Sequence, residues 1–493
     1  MEVLRPDTAA NPYDQIRYPS TVQEGLHPAS LSVFACLHDR PFASPSHCRV
    51  LEIGCGEGIN LMSIAVTAPR SQCVGFDLAE TAIATGRATA AAAGLTNVEL
   101  SVMDILNTPD SLGEFDYIVA HGVYAWVPAP VRDAMMRLIG RTLAPNGLAL
   151  VSYNAMPGCR IRQIVRDILQ DCLSDVTQPS ARLAAAKEWL EFFVSKWSET
   201  EPLQKAMRHR VQELLRYPLE VIFHDEMGEI YEPQFVSDVA AHAGQYGLQY
   251  LCDAQPARGC EALIPSDERK ALEERVGDDF TRFEQAYDYT TLLPYRESLL
   301  CRDDGVIERS AAWTRVEALH ARGQFVPVSA DESEPGRFEF HTRNSGRAAT
   351  SEQVIGDLLG HIGAAEPHAI ALKDRIAGRK IAETVLRLFR AGALSLQTEP
   401  FAFTLTPGER PVASALARLQ AARGESHLAS LQHTSVEIRD ATTRHFISLL
   451  DGTRTRHDLA LEMASFTGAP ADVIAARLND NLSRLAQMTL LAG

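Results

Sequence analysis

No apolar run in the 493-residue sequence is long enough to span a bilayer, which excludes a helical membrane protein and any membrane insertion. The first fifteen residues lack a basic stretch followed by an apolar one, so no secretion signal is expected and the chain is assigned to the cytoplasm. Cysteine is scarce and unpatterned: nine residues, an odd number, with no Cys-x-x-Cys pair. That disfavours a disulfide framework or a zinc site and suits a reducing compartment. Positive charge is also short, with 47 Lys and Arg against 63 Asp and Glu and a net charge of -16. A nucleic-acid partner needs a positive field to displace counterions, so none is expected, whereas a basic substrate would be tolerated or attracted. The length fits about three domains.

What the sequence does have is a glycine turn behind a short apolar strand. Val50–Ile53 reads as a buried strand, Gly54-Cys55-Gly56-Glu57-Gly58 as a turn, and a helix opens at Ile59. Alternate glycines allow a tight turn and let a ligand approach bare backbone. No Gly-Lys-Ser/Thr follows, so this is not a phosphate loop, and the third glycine comes one residue early for G-x-G-x-x-G. Glu52, just before the first glycine, suits a ligand with a positive centre and no phosphates. S-adenosylmethionine (SAM) is such a ligand.

From there strands and amphipathic helices alternate. Cys73–Asp77, Val98–Val102, Phe115–Ala120 and Leu148–Tyr153 read as strands, with helices at Ala79–Gly94 and Val131–Leu143. This pattern predicts an α/β fold with a parallel sheet and its ligand over the strands' carboxyl ends. An acid after strand two and another after strand three resembles the order in class I SAM-dependent methyltransferases. The resemblance implies that Gly54, Gly56 and Gly58 bring backbone to the methionine and ribose, with Glu52 at the loop or ammonium group. Asp77 would hold the ribose and Leu78 the adenine face. Asp104 would accept from the adenine amine, with Ile105 beside the ring and His121 beneath the sulfonium. A capping role for Asp77 and a core role for His121 are the structural alternatives.

The acceptor end is less marked. Tyr124 and Trp126 follow strand four, and Tyr153 and Asn154 follow strand five; each is a candidate for the acceptor pocket or for packing. The Asn/Asp-Pro-Pro-Tyr/Phe signature of many amine methyltransferases is absent. Methyl transfer from a sulfonium needs no metal, and the adjacent His224-Asp225-Glu226 point in different directions on a helix, so no metal is expected. An amine acceptor must arrive neutral. Tyr124, Tyr153 and His121 are the candidates to help remove its proton.

Beyond Gly158 the spacing predicts long helices at Arg160–Val176, Ser180–Thr200 and Pro202–Arg216, as a cap or a dimer surface. Further helices are expected at Glu352–His361, Pro367–Ile376 and Lys380–Ala391, and a strand pair over Leu394–Leu405. The mixed tail, Ser435–Leu491, reads as a winged-helix module used for protein contact.

Several motifs together resemble one bacterial family. They are Asn11-Pro12-Tyr13-Asp14, Tyr18-Pro19, His27-Pro28, the glycine loop, His121–Pro128, Ser152–Gly158, Leu248–Leu251, Arg296–Arg302, Ser414–Arg418 and Leu450–Arg454. The family comprises class I methyltransferases with a methyltransferase regulatory domain, similar in layout to rickettsial protein-lysine methyltransferases that modify an outer-membrane protein. The resemblance implies a SAM-binding Rossmann-like domain (1–158), a helical dimerisation and regulatory middle domain (159–302) and an α+β C-terminal domain (303–493). It also implies transfer to a protein lysine and a possible homodimer. The alternatives are a small-molecule N- or O-methyltransferase and a SAM-binding scaffold without turnover.

Overall fold

A computed structural model describes residues 12–256, 266–309, 312–328, 336–343 and 346–493. Asn11, part of the N-terminal motif, lies outside the described residues.

One seven-stranded sheet organises the first 302 residues. Its strands are β1 (Arg49–Ile53), β2 (Gln72–Asp77), β3 (Val98–Val102), β4 (Phe115–Ala120), β5 (Leu143–Asn154), β6 (Leu248–Asp253) and β7 (Tyr295–Arg302), in the order β3-β2-β1-β4-β5-β7-β6. The first five are parallel, as the alternation predicts. The associated helices are α1 (Pro12–Gln15), α2 (Pro28–Leu37), α3 (Ile59–Thr67), α4 (Glu80–Ala92) and α5 (Ala129–Thr142). Alternate strand residues feed two cores. Val50, Tyr117 and Leu148 meet α2, α3 and α4 on one face. Leu51, Ile53, Ile118 and Ala149 meet α5 on the other.

β5 starts at Leu143, five residues before the expected Leu148, because Leu143 already pairs with Phe115 across an irregularity in the ladder. Beyond β5 the sheet continues. β7 runs antiparallel to both β5 and β6, so two strands drawn from the middle region complete the same sheet. The chain leaves β5 at Asn154, ahead of the expected boundary at 158, and the sheet extends past both.

Between β5 and β6 stands an insertion of α6 (Arg160–Cys172), α7 (Pro179–Lys196), α8 (Pro202–Leu214) and α9 (Leu219–Met227). It has its own core around Val165, Leu169, Leu190, Val211 and Ile222. Helices α10 (Val236–Gly244), α11 (Ser266–Val276) and α12 (Phe280–Thr291) lead back to β7. There the fully buried Arg296 bonds both oxygens of Asp288 (2.8 and 2.9 Å), the Tyr250 hydroxyl (2.8 Å) and Glu284 (2.8 Å). This network clamps α12 to the sheet.

The C-terminal part contains β8 (His320–Arg322), β9 (Val326–Pro327), β10 (Phe338–His341), β11 (Arg347–Thr350), β12 (Ile370–Ala371) and β13 (Ser395–Gln397), with α13 (Gln353–Ala365) and α14 (Arg379–Arg390). They form two small sheets, β11-β10-β9 and β12-β8-β13. The helix expected at Pro367–Ile376 does not form. Ile370 and Ala371 pair with β8 instead, and Leu372 N–H bonds Leu319 O at 2.9 Å, so a ladder displaces the helix. The strand pair expected over Leu394–Leu405 is the single strand β13; Pro400, which has no N–H for a ladder, stands beyond its end. Last come β14 (His427–Ala429) and β15 (Ser435–Glu437) with α15 (Ala415–Ala422), α16 (Ala441–Leu449), α17 (Arg456–Thr467) and α18 (Ala471–Gln487). Their separate core around Leu428, Ile447, Leu459 and Leu482 is that of a winged-helix module.

Candidate active site

The site begins where β1 ends. Gly54, Gly56 and Gly58 all have φ between +54° and +72°, so the turn winds through left-handed backbone. Gly54 N–H and Cys55 N–H both donate to Phe76 O (2.9 and 3.1 Å), which fixes the loop to β2. A Cβ on Gly54 would come within 2.6 Å of Val123, and one on Gly58 within 2.8 Å of Leu100. At Gly56 the nearest atom is Ser20 Oγ at 3.8 Å, ordinary contact distance, so of the three this glycine alone has room beside it.

Three carboxylates stand at the ends of the first three strands. Asp77 accepts from Gly56 N (2.8 Å) and Ala79 N (2.9 Å), joining the glycine turn to the end of β2. Asp104 accepts from Leu106 N at 3.0 Å at the end of β3. Glu52 is buried; its Oε1 meets Asn60 at 3.5 Å and its Oε2 has no hydrogen-bond partner. Burial pushes the Glu52 pKa up to about 8, against the pull of the Asn60 amide.

A strap from the N-terminal segment crosses the loop. Asp14 accepts from Thr81 N (3.0 Å) at the start of α4. Arg17 forks onto Glu57 inside the glycine turn. His224 of α9 donates through Nε2 to Ile16 O (2.7 Å), and Tyr13 stacks on the His224 ring with centroids 4.3 Å apart. The Tyr18 hydroxyl lies 3.4 Å from Asp225, which Arg162 holds at 3.0 Å. Tyr13 is within electrostatic reach of both Asp77 and Asp225, and burial with these two charges pushes its pKa up to about 12.

A second polar cluster is built from β4, β5 and β7. Because β7 is antiparallel, its N-terminal end lies at the carboxyl edge of the parallel strands, with Tyr295 opposite Asn154 and Glu297 opposite Ser152. Tyr295 donates to Ser152 Oγ (2.7 Å), which also accepts from Gly122 N (2.7 Å). His121 Nε2 lies 3.1 Å from the Tyr295 hydroxyl and 3.5 Å from Glu297. Asn154 Oδ1 is buried without a hydrogen-bond partner beside this cluster.

Comparison with known proteins decides what this arrangement belongs to. Residues 50–147 match a "Methyltransferase domain", 218–302 a "Predicted methyltransferase regulatory domain" and 409–469 a "PKMT, C-terminal winged helix domain". An uncharacterized protein of Rickettsia prowazekii is 33% identical over 244 residues, 49% of this chain and 93% of that protein. The chain belongs to the SAM-dependent methyltransferases that carry this regulatory domain. A second R. prowazekii protein is 31% identical over 302 residues, 61% of this chain; the chain spans about half of it, 54%. The fold matches PKMT2 from Rickettsia typhi with a TM-score of 0.82 at 23% identity, covering 97% of this chain and 100% of that one. The R. typhi protein has also been solved in complex with AdoHcy, with a TM-score of 0.83.

The methyltransferase's cofactor fits the residues present. Glu52 Oε2, buried and without a hydrogen-bond partner, is a group that a cation such as the methionine ammonium would satisfy once the carboxyl ionises. The room beside Gly56 and the exposed Leu78 leave space for the ribose and the adenine. Asp77 and Asp104 stand at the ends of β2 and β3 as expected, with Ile105 buried behind Asp104.

The acceptor candidates of the methyltransferase divide. His121 and Asn154 are brought to the cluster. Tyr124 and Tyr153 are not, since both are fully buried with their hydroxyls engaged elsewhere. Tyr124 meets His242 Nδ1 at 2.6 Å, and Tyr153 meets Ser298 Oγ at 2.8 Å on the sheet face opposite Ser152 and Asn154. Trp126 sits at the rim, against Tyr231 and beneath the guanidiniums of Arg162 and Arg166. His224, Asp225 and Glu226 serve the strap and the insertion, Glu226 pairing with Arg162 and Arg210. Sequence reasoning missed Arg17, Glu57, Tyr295 and Glu297. Only the last two left a trace: polar residues two apart in a strand share a face.

Proposed function

We propose that this methyltransferase moves a methyl group from SAM to a lysine side chain of a protein. SAM supplies an electrophilic methyl on a sulfonium; the chain supplies alignment, charge and a way to remove the amine's proton. The observation that carries the reading is the polar cluster at the carboxyl edge, His121 with Tyr295 and Glu297, next to the partnerless Asn154 Oδ1. Glu297 draws in a cation, and the Tyr18 and Tyr295 rings give its alkyl stem an apolar flank. Asn154 Oδ1 orients the amine, while His121, held by Tyr295 and Glu297, accepts its proton. The winged-helix match named for PKMT supports a protein acceptor. A homodimer through the insertion belongs to the same proposal; α7 exposes Trp189 and Phe192, a patch suited to a partner.

The test is to incubate the full chain with methyl-labelled SAM and separate protein and metabolite fractions, with and without prior lysine acetylation. Label is expected on protein amines and lost on acetylation. Label that survives acetylation, or that enters only metabolites, would overturn the lysine reading.

A further inference from the structure

A second feature lies in the C-terminal part and owes nothing to the methyl-transfer chemistry. Strand β11 ends its three-stranded sheet, and among the described residues it pairs only with β10. A row of its backbone N–H and C=O groups therefore points outward, as on any edge strand. Beside that edge is a cleft of about 580 Å³ with α14 as its far wall. Lys380, Thr384, Arg387 and Leu388 line it from α14, a spacing that puts them on one helix face, and Ala391 follows just past the helix end. Ile355 and Leu359 of α13, both buried, form an apolar floor.

The edge is made approachable. Ala348 and Ala349 give β11 two of the smallest side chains, and Gly392 and Ala393 keep the end of the α14 wall low. The lining is cationic, with Arg343, Arg347, Lys380 and Arg387 against the single carboxylate Glu352, in a chain whose net charge is -16. Lys380 bonds Glu352, Arg343 bonds Glu366 at 3.5 Å, and Arg387 donates to Thr384 at 2.9 Å. Charge that merely guards an edge against self-pairing sits on the strand itself. Here two of the four cations stand on the facing helix, across the gap.

We propose that this cleft binds an extended, acidic segment of a partner protein, which adds as a fourth strand along β11. Backbone pairing with the edge supplies affinity. Alternate side chains supply selectivity, apolar ones onto Ile355 and Leu359 and carboxylates toward Arg347, Lys380 and Arg387. The four residues of β11 span roughly 13 Å, a length that four to six residues of partner match.

The probe is a fluorescein-labelled peptide of alternating valine and glutamate, six residues long, with a valine–glutamine counterpart, read by anisotropy on the full chain. The acidic peptide is expected to bind, to weaken with added salt, and to outbind the glutamine peptide by at least about tenfold. Arg347→Glu with Arg387→Glu should abolish the difference while leaving the thermal melt and SAM binding unchanged. Ala349→Pro, which removes one edge N–H, should weaken both peptides. Absence of binding at millimolar peptide, or binding indifferent to the charge reversal, would overturn the proposal. So would a dimer that Ala349→Pro dissociates, because the edge would then belong to a second copy of the chain.

Discussion

Arg17 grips Glu57 with two parallel bonds, Nε to Oε1 at 2.5 Å and Nη2 to Oε2 at 2.8 Å, tying the N-terminal strap to the middle of the glycine turn. Forked pairs of this kind are stronger than single contacts and fix orientation. The strap also brings Ser20 Oγ within 3.8 Å of a Cβ placed on Gly56, the roomiest point of the turn. Arg17→Ala is expected to raise the SAM dissociation rate by about tenfold or more and to expose the strap to protease, with the global melt nearly unchanged. Stopped-flow displacement and limited proteolysis check this; an unchanged dissociation rate would remove the strap from cofactor exchange.

Asp77 holds the turn and β2 together and is the residue to which the family resemblance gives the ribose. Asp77→Ala should weaken SAM binding more than tenfold, through loss of charge-assisted hydrogen bonds. Isothermal calorimetry is the measurement, and wild-type affinity in the variant would sink the ribose assignment.

Glu52 gives a pH signature. Its folded pKa is raised to about 8 by burial, above its unfolded value near 4.3. The folded apo chain therefore holds a proton there that the unfolded chain has lost, so stability from this group falls as pH rises from about 4.3 to about 8. A bound ammonium favours the carboxylate, so SAM binding should release a proton and tighten as pH rises from about 6 to 8. Calorimetry in buffers of different ionisation enthalpy reads the proton directly. Glu52→Gln should bind more weakly and show neither effect.

Two tyrosines separate the acceptor readings. Tyr124→Phe loses only the bond to His242 and should cost about 1 kcal/mol of stability with transfer intact. Tyr295→Phe removes the contact to His121 and should cut transfer about 10²-fold with SAM affinity unchanged. The reverse ranking in a labelled-SAM assay would return Tyr124 to the site.

Arg296→Met should be costly. It strands buried Asp288 and Glu284 without their cation, for an expected loss of about 3–5 kcal/mol. Denaturant unfolding followed by circular dichroism measures it, and a loss below 1 kcal/mol would show that the network is not what fastens α12.

The cofactor half was legible because its signals are local. Strand, glycine turn and helix are contiguous from Val50 to Thr67, and Asp77 and Asp104 stand at strand ends that apolar runs already mark. The acceptor half was not, because its partners meet from afar. Tyr295 is 174 residues from His121, and Arg17 is 40 from Glu57, with no repeating pattern to link them. For Tyr153 the choice between pocket and packing could not be read from one segment. In a strand, one residue decides the face, and Tyr153 points away while Ser152 and Asn154 on either side point toward the cluster. The helix expected near Pro367 failed likewise, since pairing with β8 is invisible from one segment alone.

The antiparallel entry of β7 has a consequence for how such enzymes can diverge. The strand that brings Tyr295 and Glu297 to His121 belongs to the regulatory segment, so catalytic and regulatory halves cannot be exchanged between relatives as cassettes. A chimera cut near residue 158 would pair β5 of one parent with β7 of the other and build the polar cluster from two parents' side chains. A join beyond Arg302 keeps that sheet whole but still divides one core, because Leu31 and Phe34 of α2 pack in the same cluster as Val316, Phe389 and Leu396. Such a hybrid should fold only where the two parents match across that seam.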